Sequence, residues 1–163
     1  MQLAGMHALN SLRLEKAFRH WGHDISDEDT PLEAGLGFAV KFDKPGGFIG
    51  REALLRQKEG LSDLKNGVLK KRLVQFALED PEPLLYHNEP IWCDGRIVGD
   101  LTSGMYSHTI GTCLGMGYVT NEDGVSKDFL ESSTFEIEVA GERHRANASL
   151  RAFYDPKSER VRM

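Results

Sequence analysis

The sequence predicts an α+β fold: a helical amino-terminal part over residues 1–68, followed by a β-rich part over residues 69–163 shaped as a small antiparallel barrel or sandwich. Three observations carry that prediction. Apolar residues recur at helical spacing near the amino terminus. From Lys71 onward the chain breaks into about six short, partly alternating segments separated by turn residues. No strand–helix–strand alternation occurs, which argues against a doubly wound nucleotide-binding sheet.

Residues 5–21 read as one helix. At about 100° per residue, Met6, Leu14, Ala17, Phe18 and Trp21 fall on one sector the width of a buried face. Asn10 lies in that sector, so its amide must bond to something inside. Leu9 and Leu12 widen the apolar surface, and the helix is expected to have partners on more than one side, as the opening of a piece of something larger. Thr30-Pro31-Leu32-Glu33 is a helix start with a capping box, which Gly35 ends after about a turn. Residues 37–42 read as a short strand and Lys44-Pro45-Gly46-Gly47 as a turn. A second amphipathic helix covers residues 50–59, stopped by Gly60, and residues 61–67 connect it to the β part.

In the β part, residues 71–78 form the first strand, with Val74 and Phe76 on one face. Pro81, Pro83 and Pro90 bracket a loop. Residues 91–93 and 96–101 flank Asp94-Gly95, a strong hairpin signal. Thr102-Ser103-Gly104, with Tyr106-Ser107, reads as a polar turn able to present hydroxyls. Residues 113–120 form a further strand, and residues 135–140 and 143–148 flank Gly141-Glu142 as a second hairpin.

The net charge of −5 argues against a nucleic-acid or anionic-membrane surface, and the densest basic run, Lys70-Lys71-Arg72, is too short to reverse that. No apolar stretch is long enough to span a bilayer, and the start lacks a signal-peptide pattern, so a cytoplasmic location is expected. Cys93 and Cys113 read as reduced thiols. The glycines of Gly46-Gly47-Phe48-Ile49-Gly50 and Gly115-Met116-Gly117 match neither phosphate-binding pattern and read as turn and packing glycines. His20 and His23 straddle a helix end without a companion carboxylate, which does not make a metal site. No Gly-x-Ser-x-Gly motif is present, and Asn147-Ala148-Ser149 is read as a chance glycosylation match. The residues supply no self-contained catalytic set and no metal site.

Three ordered stretches go further. They are Gly5-Met-His-Ala-Leu-Asn-Ser-Leu-Arg-Leu-Glu-Lys16 leading into Trp21-Gly22-His23-Asp24-Ile25, then Thr30-Pro-Leu-Glu-Ala-Gly-Leu-Gly-Phe38 with Phe48-Ile-Gly-Arg-Glu-Ala-Leu54, and Gly99-Asp-Leu-Thr-Ser-Gly104 with Gly117-Tyr-Val119. In this order they resemble the carboxy-terminal half of the glycine-cleavage aminomethyltransferase family. Asn10-Ser-Leu-Arg-Leu-Glu-Lys16, Arg19-His20-Trp21-Gly22 and the tail Phe153-Tyr-Asp-Pro-Lys-Ser-Glu-Arg160 are most similar to its dimethylglycine and sarcosine dehydrogenase branch.

The resemblance implies a folate module whose last part is a small β-barrel, so residues 69–163 would be that barrel and residues 1–68 a partial folate-module segment. The parent would join an upstream FAD portion, which oxidises an N-methyl amine, to a folate portion that captures the carbon as 5,10-methylenetetrahydrofolate. The family's catalytic aspartate and a folate-binding glutamate would fall before Met1, so the chain alone would be inactive, bind no FAD and form one wall of a tetrahydrofolate site. That wall would include His7, at a position that often holds Tyr in the branch. It would include Leu9, where the glycine-cleavage enzymes carry a folate-contacting Arg, and Phe18, at an aromatic position lining the folate tail. Arg160 or Arg162 would meet the glutamate tail. The expected partners are the upstream FAD and folate domains and a small N-methyl amine. In a eukaryote the location would be the mitochondrial matrix. The superfamily also includes members that keep the shape without the chemistry, so a regulatory or scaffold role is the alternative.

Overall fold

The computed structural model describes residues 4–63 and 68–162. Its centre is a closed six-stranded antiparallel barrel in the order β1-β4-β3-β2-β5-β6, with β6 returning to pair with β1. The strands are β1 (Lys71–Leu78), β2 (Pro90–Cys93), β3 (Arg96–Ser107), β4 (Thr112–Thr120), β5 (Phe135–Val139) and β6 (Glu142–Ser149). Closure leaves no free edge to recruit another strand. It also settles the choice between barrel and sandwich.

β1 shows how the sequence builds two layers. Val74, Phe76 and Leu78 enter the barrel core, where they meet Ile91, Leu101, Cys113, Val119 and Ile137. The alternate residues Leu73 and Ala77 face outward and are buried just as well, under an external layer of Leu14, Ala17, Leu114 and Met116. A strand covered on both faces needs apolar residues on both, which is why its alternation is only partial.

The β2–β3 turn is Asp94-Gly95, both residues having positive φ, as the tight hairpin requires. In the second hairpin the left-handed pair is Ala140-Gly141, one residue earlier than expected, so β5 stops at Val139 and β6 begins at Glu142. The supposed polar turn at residues 102–107 is instead the second half of β3. A bulge between Leu101 and Ser103 bends this strand, freeing Thr102 from the ladder with β4. Gly104 is required there by close approach: a Cβ would sit 2.6 Å from the Leu85 carbonyl carbon. A short helix, α3 (Lys127–Ser132), went unanticipated. Ser126 caps it by accepting from the Phe129 N–H at 3.0 Å, and Phe129 packs edge-on against Phe135 at 5.8 Å.

The amino-terminal part departs further from expectation. The first helix, α1, covers only Met6–Glu15, because Ala17 adopts a left-handed conformation, φ 53°, that ends it. Its buried residues are Ser11, Leu14 and Glu15. Of the sector expected to be buried, Leu14 and Ala17 are inside, whereas Met6, Phe18 and Trp21 are 63%, 61% and 70% exposed. The Thr30–Glu33 capping box forms, with Glu33 accepting from the Thr30 N–H at 3.0 Å, but it closes a turn and not a helix. Residues 37–42 do not form a strand; a 3-10 turn occupies Gly37–Ala39. α2 (Arg51–Asp63) runs through Gly60, so the expected stop there is absent. Residues 61–63 of the expected connecting loop are helical, and residues 64–67 lie outside the described residues.

Candidate functional site

A cleft of about 350 Å³ opens where α1 crosses the bend of β3. α1 contributes Met6, His7, Asn10 and Arg13, the following segment His20 and His23, the loop before β2 Tyr86 and His87, and β3 Thr102, Ser103 and Gly104. The floor is a polar network. Asp24, fully buried, accepts from Arg13 Nη1 at 2.8 Å, the His20 backbone N–H at 2.8 Å and the Thr102 hydroxyl at 2.6 Å. Arg13 also donates to Ser103 Oγ at 2.7 Å and to Asn10 Oδ1 at 2.9 Å. The members come from three places in the chain, α1, the segment after it and β3, and each satisfies a group whose burial would otherwise be costly. The Tyr118 hydroxyl closes the floor by donating to the Asp24 carbonyl at 3.1 Å. Burial, reinforced by the nearby Asp29 and Glu33 carboxylates, pushes its ionisation far up, so it remains a donor.

A second buried carboxylate holds the end of α1. Glu15 accepts from Ser107 Oγ at 2.7 Å, the Thr109 N–H at 2.9 Å and Thr109 Oγ1 at 2.8 Å. Burial alone would raise its pKa, but these hydrogen bonds outweigh burial and keep it below the ordinary glutamate value. Asp29 behaves alike: burial pushes it up, and hydrogen bonds from Lys71 and Ser26 bring it below the usual aspartate value.

The four residues expected at the folate wall do not surround one cavity. His7 lines the cleft. Leu9 is half exposed on α1. Phe18 borders a separate 650 Å³ cavity with Lys16, Arg19 and Phe38. Arg160 is exposed near the carboxy terminus, donating to the Tyr154 hydroxyl at 3.2 Å. Arg13, Asp24 and His87 went unmarked in the sequence, because partners 11 to 90 residues apart leave no local pattern. The traces that were legible are Asn10 on an apolar stripe and the hydroxyls of Thr102 and Ser103.

Among the described residues no group of three or more His, Cys, Asp or Glu side chains is placed to hold a metal ion. All strand pairs are antiparallel, so the described residues offer no strand–glycine loop–helix cradle for FAD. No helix among them is long and apolar enough to cross a membrane.

Residues 71–155 match the glycine cleavage T-protein C-terminal barrel domain, and residues 1–44 match the GCVT N-terminal domain. The chain is 45% identical over 162 residues to a 4-methylaminobutanoate oxidase (formaldehyde-forming) of Paenarthrobacter nicotinovorans, covering 99% of this chain and 18% of that protein. It is 37% identical over 161 residues to mitochondrial sarcosine dehydrogenase of Homo sapiens, covering 98% and 17%. It is 41% identical over 158 residues to the mitochondrial pyruvate dehydrogenase phosphatase regulatory subunit of Mus musculus, covering 90% and 17%. The chain thus spans less than a fifth of these relatives' length. The fold matches the crystal structure of the glycine cleavage system aminomethyltransferase T from Bartonella henselae with a TM-score of 0.68 at 24% identity, over 88% of this chain and 37% of that one.

Proposed function

This chain belongs to the glycine cleavage T-protein family, and from that premise we propose that it is the carboxy-terminal folate-module portion of an FAD-dependent N-methyl amine dehydrogenase of the dimethylglycine/sarcosine type. Such an enzyme oxidatively demethylates its amine and passes the one-carbon unit to tetrahydrofolate; this portion by itself is inactive. One observation carries the reading. Similarity covers 98–99% of the chain in two relatives whose named substrates, 4-methylaminobutanoate and sarcosine, share a secondary N-methyl amine.

FAD does not fit the described residues and belongs to a preceding domain, a partner of this chain together with the rest of the folate module. Tetrahydrofolate, when bound, accepts the one-carbon unit. This chain's share of its site would be one wall, with His7 in the cleft as its one residue there and Phe18 at a separate cavity. Leu9 on α1 and Arg160 near the carboxy terminus line neither cavity and would join the wall only with the rest of the folate module in place. Leu9 offers an apolar lining where an Arg would offer a charge. A cytoplasmic or mitochondrial-matrix location accompanies this role.

The test is expression of the longest reading frame that carries this chain, followed by dye reduction and formaldehyde trapping with sarcosine, dimethylglycine and 4-methylaminobutanoate. The expected result is a flavin-loaded protein that oxidises at least one of them and releases less formaldehyde when tetrahydrofolate is supplied. A protein that oxidises none would overturn the reading. The second reading, a non-catalytic regulatory subunit, is favoured specifically by the 41% identity to the phosphatase regulatory subunit. It predicts no amine oxidation and a stable complex with another enzyme. For the chain alone, a submicromolar Kd for tetrahydrofolate would contradict a one-walled site.

A further inference from the structure

We propose that the groove between α2 and the loop before it, residues 39–50, is an interface filled by the part of the same polypeptide that precedes this chain, through an apolar surface with an acidic rim. The groove holds about 590 Å³, and its apolar walls include Pro31, Val40, Phe48, Ile49, Ala53 and Leu54. Ile49 and Ala53 are exposed. α2 makes no substantial contact with α1, α3 or any strand of the barrel. The loop supports it at Phe42, whose carbonyl accepts from Arg51 Nε at 2.8 Å and whose ring lies 4.9 Å from Lys58 Nζ. A 13-residue helix is marginal in water unless an apolar face is packed, and this one presents Ala53 and Leu54 to an open groove.

Residues 1–44 match the GCVT N-terminal domain, yet among the described ones only Leu14, Ala17 and Ala34 are buried hydrophobics. That segment has no core of its own. The barrel, matched separately over residues 71–155, closes over its own core. Exposure follows the same division: of eleven large hydrophobics exposed among the described residues, seven lie in residues 6–49. Apolar surface on that scale marks an interface. Length sets the occupant, because this chain spans less than a fifth of the relatives it matches, leaving the rest of that domain to the preceding portion. This placement rests on the preceding portion proposed above and adds where that portion lands.

Charge narrows the covering surface further. Lys41 and Lys44 stand on the groove, and its one acidic lining residue, Asp29, is committed to Lys71 at 2.9 Å and to the Ser26 N–H at 2.9 Å. Residues 39–58 carry five Lys and Arg against two Asp and Glu, in a chain of net charge −5. Acidic groups around an apolar centre complement such a rim. A second copy of this chain set symmetrically on the groove would bring Lys41 and Lys44 against themselves, which like-charge repulsion opposes.

Cysteine reporters test the assignment: Ile49→Cys and Ala53→Cys in the groove, and Ile97→Cys, exposed beside the β2–β3 turn, as control. The native Cys93 and Cys113 are buried and should not react. Each variant is made in the 163-residue chain and in the longest reading frame that carries it, and the rate of maleimide labelling is measured. All three sites should label fast in the 163-residue chain. In the longer protein the two groove sites should label roughly tenfold or more slowly while the control keeps its rate. Adding Lys41→Glu/Lys44→Glu, at two exposed positions, should speed groove labelling there severalfold. Equal groove labelling in both proteins, concentration-dependent protection in the 163-residue chain alone, charge reversal without effect, or a reading frame that adds nothing before Met1 would each overturn the proposal. Amine oxidation with an unprotected groove overturns the interface alone, whereas a protected groove without amine oxidation overturns the enzymatic reading alone.

Discussion

The barrel and the segment before it are held together by different forces. In the barrel, Val74, Phe76, Ile91, Leu101 and Ile137 are almost wholly removed from water and strand pairing closes on itself. The preceding segment shows water Met6, Leu12, Phe18, Trp21 and Phe38, all more than 60% exposed, and docks through a small apolar patch at Leu14 and Ala17 together with a larger set of polar contacts. Those polar contacts are Arg13 and Thr102 on Asp24, Ser11 on the Tyr106 carbonyl, Glu15 on Ser107 and Thr109, Lys71 on Asp29, and the Leu73 N–H on the Glu33 carbonyl. Burial of apolar area is non-directional and tolerant of pH. A buried polar network is directional and charge-dependent. The two halves should therefore fail under different insults.

The largest effect should come from the barrel itself. Phe76→Ala, at a fully buried position packed 5.7 Å from the Phe135 ring, is expected to cost about 4 kcal/mol, read as loss of the whole cooperative transition in urea. Next, Arg13→Met removes the Arg13 ion pair from the fully buried Asp24 and should cost about 3 kcal/mol. Hydrogen exchange would distinguish the halves: protection should fall over α1 and residues 18–36 while β1 and β4 keep theirs. If β1 and β4 lose protection equally, the contrast between the halves fails.

A smaller loss, about 1–2 kcal/mol, is expected for Glu15→Gln, which removes charge assistance from three hydrogen bonds. Acid should act in the same place. Glu15 and Asp29 have folded-state pKa values depressed below their unfolded values, so their contribution is present above the unfolded pKa and is lost as pH falls through the folded one. The amino-terminal segment should thus loosen below about pH 4, ahead of the barrel, and Glu15→Gln should flatten that step in a circular-dichroism titration. The smallest effect belongs to Leu12→Gln, 63% exposed in the chain, which should shift the urea midpoint by no more than corresponds to about 0.5 kcal/mol.

The same contrast explains what could be read from the sequence. Barrel strands are legible because alternation and the Asp94-Gly95 turn are local properties, and all six strands begin within a residue of their expected positions. The far half of β3 was hidden because Thr102, Ser103 and Gly104 have turn chemistry; their true role is to bend a strand and reach Asp24 and Arg13. Apolar spacing predicts too long an α1 because Phe18 and Trp21 continue it beyond the backbone reversal at Ala17. The cleft was nearly silent, since long-range polar partners follow no period. The family resemblance of the ordered motifs points to the family, which spacing alone does not.

Gln75 sits on the outer face of β1, 2% exposed, between two stretches far apart in the sequence. Its amide nitrogen donates to the Leu14 carbonyl near the end of α1, and its oxygen accepts from the Phe153 N–H at 3.0 Å. A single side chain thereby fastens both tails of the described chain to the same staves of the barrel. Cutting away the residues after Ala152 would not simply shorten the protein: it would strip Gln75 of one bond and Lys16 of its Asp155 partner, unlatching α1 from the opposite end.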